Sequence, residues 1–336
     1  MSHAGFQAGS DQPSRTSILV AASRAFGSRE QDSTVQNPDW MAERIIGPAE
    51  RDLIRDHPIV DALKEDYDQA RQRIEVAGSS NLMLIRTRFI DECLERAVRD
   101  GIRQLIILGA GFDTRAYRFE TLLKGIRIIE VDSESTQKVK KQRVIAVLGS
   151  LPAHVTYAAI DFKQQDLIDV LRTAGGYDPA QKTFFVWEGV SMYLSEETVR
   201  RTLNVLARHS AAGSSYVMDY AGRAFIDILE KHPNHPQHKY TTGWGEPWVF
   251  GVPDQGDEKF FAECGFQTRQ VLGFFGPAVS KKYLTRKDGT RLDRGTRGSL
   301  RMFLRVLPMI LTLIMRKSRG YALAELVVPG PTTKPL

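Results

Sequence analysis

The 336-residue sequence predicts an α/β fold in which helices cover both faces of a mostly parallel sheet. Seven short apolar runs, rich in branched and aromatic residues, predict the strands. Amphipathic stretches lie between several of them. Residues 195–209 are an example, with a serine N-cap, two acids in the first turn and Val199, Leu203 and Leu206 on one face. This alternation is typical of parallel strands joined by crossover helices. The predicted strands are residues 105–108, 126–131, 155–160, 184–187, 215–219, 268–274 and 321–328.

The chain before the first predicted strand has a different composition and period. Residues 1–15 contain Gly, Ser, Gln, Asp and Pro without a period and predict a disordered tail. Residues 16–100 predict a helical extension, because apolar residues such as Ile90 and Leu94 recur at a spacing of four before Gly101, which is a stop signal.

Residues 101–330 are predicted to form the sheet domain, and two segments within it break the alternation. Residues 221–265 are rich in His, Pro, Trp and Gly. Residues 277–320 are basic: between 281 and 319 there are twelve Lys and Arg against two Asp, whereas the whole chain has a formal charge of +6. We interpret both segments as insertions or lids near the ligand face. The basic face can meet nucleic acid, an anionic membrane or an acidic substrate, or it can be a solvated helix pair.

The sequence predicts a cytoplasmic protein. The N-terminus lacks the apolar segment of a signal peptide, and no run approaches the roughly 18 apolar residues of a spanning helix. The two cysteines, Cys93 and Cys264, lie far apart and in no metal spacing, which indicates a reducing compartment. No metal site is expected.

The first predicted strand runs into a glycine-rich turn, in the stretch LIILGAGFDTRAYRF. Gly109, Ala110 and Gly111 form the turn, and glycine there lets the backbone come close to a ligand. The dinucleotide fingerprint requires a third glycine, but Thr114 stands in its place. No Gly-Lys-Ser/Thr follows, so this is not a phosphate loop. A pyrophosphate site is therefore disfavoured, although it remains an alternative.

Three of the next predicted strands end in acids. Asp132 ends IRIIEVD, 21 residues after Gly111, where a carboxylate can accept hydrogen bonds from ribose hydroxyls. Asp161 ends the third strand and is followed by Phe162, and Glu188 ends the fourth. A ribose acid without the third glycine favours a nucleoside that has no phosphates, such as S-adenosylmethionine, over NAD. The alternative is that these are solvent-exposed strand-end acids.

The sequence resembles the leucine carboxyl methyltransferase family of class I S-adenosylmethionine-dependent methyltransferases. Within it, the chain is most similar to the bacterial O-methyltransferase branch, which includes polyketide-tailoring enzymes. The resemblance implies a Rossmann-like fold with a seven-stranded sheet, an N-terminal helical extension and lid insertions. The matching stretches are SILVAASRAFGSREQDSTVQNPDWMAERIIG, RTRFIDE, QLIILGAGFDTRAYRF, IRIIEVD, AAIDF, VWEGVSMYL and YALAELVV.

The resemblance also implies roles for nine residues in binding the cofactor. Arg86, with Arg24 nearby, would bind its methionine carboxylate, and Gly109, Ala110 and Gly111 would line its methionine chain. Asp132 would bind its ribose, Asp161 and Phe162 its adenine, and Glu188 its ammonium group. A zwitterionic amino-acid tail does need both a cation and carboxylate or backbone acceptors.

The sequence does not identify a catalytic group. Methyl transfer from a sulfonium chiefly requires that the nucleophile and the methyl group are held in line. A carboxylate acceptor needs no base near neutral pH, whereas a hydroxyl acceptor benefits from one. Weak candidates for a base or an orienting group are Tyr193, Tyr220 and His209, followed by His232, His235 and His238. The aromatic residues Trp244, Trp248 and Phe250 can wall an acceptor pocket or form the insertion's own core.

The leading hypothesis is an S-adenosylmethionine-dependent O-methyltransferase that acts on a carboxylate or hydroxyl of a small molecule, which can be anionic or of polyketide type. A peptide or protein C-terminal carboxyl methyltransferase is the alternative within the same cofactor class. An NAD-dependent oxidoreductase and a non-catalytic cofactor-binding subunit are alternatives of other classes. Nucleic acid is not expected, because there is no base-methylating motif, and membrane contact is disfavoured because helical spacing more often means burial.

Overall fold

The computed structural model describes residues 12–161, 165–274, 276–294 and 311–330. Most of the tail predicted for residues 1–15 lies outside them. Each apolar run coincides with a strand to within two residues at either end. The strands are β1 (Gln104–Leu108), β2 (Arg127–Asp132), β3 (Val155–Ala159), β4 (Thr183–Trp187), β5 (Ser215–Ala221), β6 (Gln267–Gly273) and β7 (Tyr321–Val327).

Helices precede the sheet and alternate with its strands, as the sequence predicts. The N-terminal group is α1 (Arg15–Gly27), α2 (Ala42–Ile45), α3 (Pro48–Asp52), α4 (Ile59–Ala62), α5 (Tyr67–Arg71) and α6 (Ile74–Arg99). The later group is α7 (Arg115–Arg118), α8 (Glu134–Leu148), α9 (Leu167–Thr173), α10 (Glu196–Arg208), α11 (Arg223–Lys231), α12 (Pro236–Gly243), α13 (Asp257–Glu263) and α14 (Pro277–Tyr283). A short 3₁₀ turn spans Ser191–Tyr193.

The sheet has the strand order β3-β2-β1-β4-β5-β7-β6. The first five strands in sequence pair in parallel, and β7 inserts antiparallel between β5 and β6. The carboxyl ends of β1 and β4 therefore lie side by side where the strand order reverses, which is where α/β sheets bind ligands. This architecture confirms the predicted α/β fold with a mostly parallel seven-stranded sheet, helices on both faces and an N-terminal helical extension.

The core forms one apolar layer on each face of the sheet. Along β1, Leu105 and Ile107 pack into one layer while Ile106 and Leu108 pack into the other. Successive side chains of a strand point to opposite faces, so an uninterrupted apolar run fills both layers. The first layer also holds the buried side of α1 and much of the helical extension. The extension is thus part of the main core and lies against the ligand-binding edge.

The helix predicted for residues 195–209 is α10, and its start is as expected. The Ser195 hydroxyl accepts a hydrogen bond from the Thr198 amide at 3.2 Å, and Val199, Leu203 and Leu206 are buried. Among the described residues, the helices fall short of the length and apolarity that membrane crossing requires.

Candidate active site

The glycine turn after β1 brings three parts of the chain together. Gly109 and Gly111 have φ angles of 64° and 43°, values that glycine adopts without strain. A Cβ at Gly109 would overlap Cγ2 of Val190, and one at Gly111 would lie 3.2 Å from Cβ of Ser17. The turn is anchored to β2, because the Ala110 amide donates to the carbonyl of Val131 at 3.0 Å. Neighbouring segments therefore pack directly on the turn's backbone.

Asp132 lies at the end of β2, beside this turn. Its Oδ2 accepts from the Gly111 amide at 2.6 Å, and its Oδ1 accepts from the Ser133 amide at 2.7 Å. Burial raises the pKa of Asp132 above its usual value, although these two amides oppose the shift. An ionised carboxylate has about four acceptor sites. Two remain for ligand hydroxyls after the backbone contacts, so the residue fits the role of ribose acceptor.

Glu188, at the end of β4, lies among arginines. Its Oε1 is 2.7 Å from Nε of Arg86, and its Oε2 is 2.6 Å from Nη1 of Arg115. Arg24 is more distant, at 3.9 Å. Burial alone would raise the pKa of Glu188, but Arg86 and Arg115 hold it well below its usual range. Glu188 is therefore a fixed anion in the wall of the site.

Arg86 has a second carboxylate partner, Asp219 on β5. Nη1 of Arg86 lies 2.9 Å from Oδ2 of Asp219 and donates to the Tyr321 hydroxyl at 3.1 Å. The Tyr321 hydroxyl also donates to Asp219, whose Oδ1 accepts from the Gly189 amide at 2.7 Å. Asp219 is completely buried. This group of side chains fixes the Arg86 guanidinium and the backbone that follows Glu188.

Arg24 connects α1 to the glycine turn. Its Nε lies 2.8 Å from Oδ2 of Asp39, and its Nη2 donates to the carbonyl of Phe112 at 2.7 Å. Asp39 in turn accepts from the Thr114 hydroxyl at 2.7 Å. Thr114, which replaces the third glycine of a dinucleotide fingerprint, thus helps to hold α1 above the turn.

A cavity of about 2520 Å³ lies at this edge of the sheet. Part of its wall consists of the glycine turn, the strand-end acids Asp132, Asp161 and Glu188, and Arg86. The remainder comes largely from helices and from residues 221–265, and it combines polar side chains with apolar and aromatic ones. It includes Leu19, Leu82, Met83, Phe225, Ile228 and Trp248. Ligand pockets are typically about 300–1,000 Å³, so this cavity has room for a cofactor and a second ligand together.

Comparison with known proteins identifies the family. Residues 17–207 match the model of leucine carboxyl methyltransferases. The chain belongs to this family. It is 28% identical over 249 residues to a candidate S-adenosyl-L-methionine-dependent methyltransferase of Bacillus subtilis, with 70% of this chain and 81% of that protein covered. It is 31% identical over 212 residues to another of Streptomyces coelicolor, with 63% and 70% covered.

Likeness to solved structures is more distant. The crystal structure of a DUF574 family protein from Streptomyces avermitilis is 14% identical, with a TM-score of 0.47 and 92% of this chain and 97% of that chain covered. Magnesium protoporphyrin IX methyltransferase from Synechocystis, with bound S-adenosylhomocysteine, is 13% identical, with a TM-score of 0.42 and coverage of 74% and 85%.

The protein is accordingly an S-adenosylmethionine-dependent methyltransferase. When bound, S-adenosylmethionine supplies an activated methyl group on a sulfonium. The family assignment removes the NAD-dependent oxidoreductase alternative. Among the described residues, no group of three or more His, Cys, Asp and Glu side chains is placed to hold a metal ion.

Most of the residues predicted to bind the cofactor line the cavity, whereas two of the three weak catalytic candidates do not. The cavity wall includes eight of the nine residues predicted for the cofactor, and Phe162 lies outside the described residues. Of the weak catalytic candidates, Tyr193 lines the cavity. Tyr220 does not, because it is buried on the other side of the sheet and donates to Asp257 at 2.9 Å. His209 is exposed at the C-terminus of α10 and also lies outside the wall. Neither Tyr220 nor His209 is therefore in place to contact an acceptor.

The insertion at residues 221–265 contributes both to the site and to the core. Trp244 and Trp248 line the cavity, as do His232 and His235. Phe250 packs instead in the core beyond the sheet, with its ring 5.8 Å from that of Phe260. His238 does not line the cavity.

The described part of the basic segment does not line the cavity. Between residues 281 and 294 and between 311 and 319, no residue lines the wall. Many of its cations form ion pairs instead. The pairs are Lys282 with Glu92, Arg286 with Glu30, Arg291 with Asp293, Arg316 with Asp227 and Asp254, and Arg319 with Asp257.

Sequence reasoning missed the contact that ties the insertion to α1. The Glu246 carboxylate accepts from the Ser14 hydroxyl at 3.0 Å, from the amides of Arg15 and Thr16 at 3.1 and 3.2 Å, and from the Thr16 hydroxyl. Glu246 thereby acts as a cap for the first turn of α1 from 230 residues away. Local sequence carries no signal for such a contact.

Proposed function

We propose that the methyltransferase transfers its methyl group to an oxygen of a small molecule. The observation that supports this best is one continuous cavity, in which polar groups at the strand ends adjoin apolar and aromatic side chains from α1, α6 and the insertion. The polar part suits a nucleoside with a zwitterionic tail, and the apolar part suits an organic acceptor. A polyketide-type acceptor and a cytoplasmic location are part of this proposal, and both cysteines are free thiols.

We assign cofactor contacts to the residues that the resemblance implied. Asp132 has acceptor capacity left for the ribose after its backbone contacts, and we assign the adenine to Asp161, which lies in the cavity wall. Gly109 and Gly111 allow close approach of the methionine chain. Glu188 carries a negative charge in the wall and suits the ammonium group.

Arg86 is the proposed partner of the methionine carboxylate, and its environment adds a constraint. Glu188 and Asp219 already contact its Nε and Nη1, so the guanidinium is held in one orientation. A fixed donor loses less side-chain entropy when it binds a ligand. Arg24 acts indirectly in this proposal, because its contacts with Asp39 and Phe112 hold α1 against the turn.

The test is turnover with methyl-labelled S-adenosylmethionine, with small alcohols, phenols and carboxylic acids as acceptors. The proposal predicts S-adenosylhomocysteine and a product whose label is in a methyl ether or ester, detected by NMR. Asp132→Ala should lose this activity, while Glu197→Gln, exposed on α10, should retain it. A label found only on nitrogen or carbon would contradict O-methylation.

Carboxyl methylation of a peptide C-terminus is the second candidate, because the matching family model is that of leucine carboxyl methyltransferases. The cavity wall has four basic and seven acidic side chains, a net formal charge of −3. That charge disfavours an anionic chain end. A peptide that accepts methyl groups as a free acid but not as an amide would support this candidate.

A further inference from the structure

His57 is a buried, neutral side chain in the wall of the cavity. It precedes α4 and is 6% exposed. Its Nδ1 accepts a hydrogen bond from the Ile59 amide at 3.2 Å. In a neutral imidazole one ring nitrogen accepts and the other carries the proton, so Nε2 is the N–H donor of His57. Burial lowers the pKa of His57 to about 4, opposed by Asp56, so this protonation state holds near neutral pH.

The Nε2–H donor of His57 is available to a ligand. Nε2 lies at the tip of the imidazole, farther from the backbone than Nδ1. Among the described residues it has no hydrogen-bond partner, and it is not completely enclosed by protein. The open space that His57 lines is the cavity. A ligand oxygen there can accept from this N–H without displacing a protein contact.

Aromatic rings hold the His57 imidazole in place. Its ring centroid lies 4.6 Å from that of Tyr240 and 6.5 Å from that of Trp244, and both of these residues also line the cavity. Nε1 of Trp244 donates to Asp56 at 3.2 Å, so that N–H is already used. This part of the wall therefore offers a flat ligand aromatic surface beside one fixed N–H donor.

A single N–H donor suits either a carbonyl or a carboxylate oxygen, and the charges of the wall decide between them. Seven acidic and four basic side chains line the cavity. Two of the four cations, Arg24 and Arg86, already contact carboxylates. A carboxylate moved from water into such a wall would lose hydration without an equal gain in attraction. A ketone oxygen is uncharged and avoids that loss.

We propose that His57 determines acceptor specificity by donating its Nε2–H to a ketone oxygen of an aromatic acceptor. The acceptor is thus an aromatic hydroxyketone, whose hydroxyl takes the methyl group while its ketone fixes the orientation of the ring. This rests on the proposed transfer to oxygen. His57 does not act as a base, because Nε2 already carries its proton.

The test is a calorimetric titration of the protein loaded with S-adenosylhomocysteine. The probes are 3-hydroxyacetophenone, 3-ethylphenol and 3-hydroxybenzoate, which are phenols with a ketone, no carbonyl and a carboxylate at the same ring position. We expect the ketone to bind more tightly than the carboxylate. His57→Asn keeps an acceptor for the Ile59 amide but removes the donor at the tip of the imidazole. It should lower the ratio of 3-hydroxyacetophenone to 3-ethylphenol affinity about fivefold, as the loss of one hydrogen bond implies.

His238→Asn is the matched control. His238 lies on α12, as Tyr240 does, but it does not line the cavity. This change should leave the ratio unaltered. If His57→Asn does not fold, as judged by circular dichroism, NMR of the natural protein supplies the test. Adding 3-hydroxyacetophenone should then shift the Nε2 resonance of His57 more than 3-ethylphenol does.

Four results would overturn the inference: an unchanged affinity ratio in folded His57→Asn, tighter or equal binding of 3-hydroxybenzoate, equal shifts of the His57 Nε2 resonance with the two phenols, or no binding of any probe. Failure of the proposed function looks different. An affinity ratio that depends on His57, together with products methylated only on nitrogen or carbon, would remove O-methylation and uphold the ketone contact.

Discussion

Nε of Arg86 lies 2.7 Å from Oε1 of Glu188, and the two side chains are only 4% and 8% exposed. A buried ion pair is stable only where both charges are well compensated. Asp219 supplies a second contact to Arg86, and Arg115 supplies one to Glu188. Because the pair also lines the cavity, the same contacts stabilise the fold and shape the proposed methionine site.

Glu188→Gln should lower the free energy of unfolding by about 3 kcal/mol, because it leaves two buried guanidinium groups short of a countercharge. Urea unfolding measures this. Glu196→Gln is the control, since Glu196 pairs with Arg200 on the surface with 53% of its side chain exposed. It should change the free energy by less than about 1 kcal/mol. Equal effects of the two substitutions would show that the buried ion pair contributes no more to the free energy of unfolding than the surface pair does.

Gly109→Ala should be more destabilising than the same change at another left-handed glycine. At Gly109 the new methyl group would overlap Cγ2 of Val190, whereas at Gly149, with φ 86°, nothing lies within 4 Å. Gly149→Ala should therefore show only the backbone penalty of about 1–2 kcal/mol. Gly109→Ala should exceed that and should also weaken S-adenosylmethionine binding. Unfolding curves and calorimetric titrations of both variants check this, and matching values would contradict the packing described here.

The contribution of His57 to stability should fall as the pH drops from about 6.5 to 4, whereas Glu130, whose pKa burial raises to about 7, contributes in the opposite direction. Burial lowers the pKa of His57 to about 4, opposed by Asp56. The unfolded state therefore binds a proton below pH 6.5 that the folded state takes up only near pH 4. The loss should reach up to about 3 kcal/mol.

The matched variant for this prediction is His57→Asn. Nδ1 of His57 accepts from the Ile59 amide at 3.2 Å, and an asparagine oxygen can replace that contact. Between pH 7 and pH 5, the free energy of unfolding measured with urea should fall more, or rise less, in the natural protein than in the variant, because both keep Glu130. Glu188 contributes little in this window, because its lowered pKa makes its contribution disappear only at pH values below about 4.5. Equal differences for the two proteins would exclude His57 as the source.

Glu246→Ala should loosen the first turn of α1. It removes the acceptor for the amides of Arg15 and Thr16, and loss of a helix cap costs about 1 kcal/mol. Hydrogen exchange at those amides should speed up at least about fivefold, while exchange in α10, capped by its own Ser195, should not change. Unaltered exchange at the Arg15 and Thr16 amides would mean that the Glu246 contact does not stabilise the first turn of α1.

The sheet was predictable from sequence because its strands are buried on both faces. A run such as Leu105–Leu108 needs no polar alternation, and a glycine or acid marks its end. The segment between β6 and β7 is not a simple crossover helix, which fits the antiparallel direction of β7. The sequence did not predict that β7 lies between β5 and β6. The strand-end acids Asp132, Asp161 and Glu188 were predictable as site residues because parallel strands place their carboxyl ends at the same edge of the sheet.

The partners of these residues were not predictable. Asp219 ends the fifth apolar run, so the same rule could have identified it, but its contact with Arg86 joins residues 133 positions apart. Glu246 and Trp248 lie in an irregular segment without a period. The basic segment was interpreted as part of the ligand face, but its described residues are absent from the cavity wall and five of its cations pair with acids instead.

The most direct test of the central claim is a calorimetric titration of S-adenosylmethionine into the natural protein, Asp132→Ala and Glu197→Gln, with NADH as the control ligand. We expect S-adenosylmethionine but not NADH to bind to the natural protein and to Glu197→Gln. Asp132→Ala should bind it at least about tenfold more weakly, because at least one hydrogen bond to a charged group is lost. Equal affinity in all three proteins, or a preference for NADH, would contradict the placement of the cofactor at the glycine turn and the end of β2.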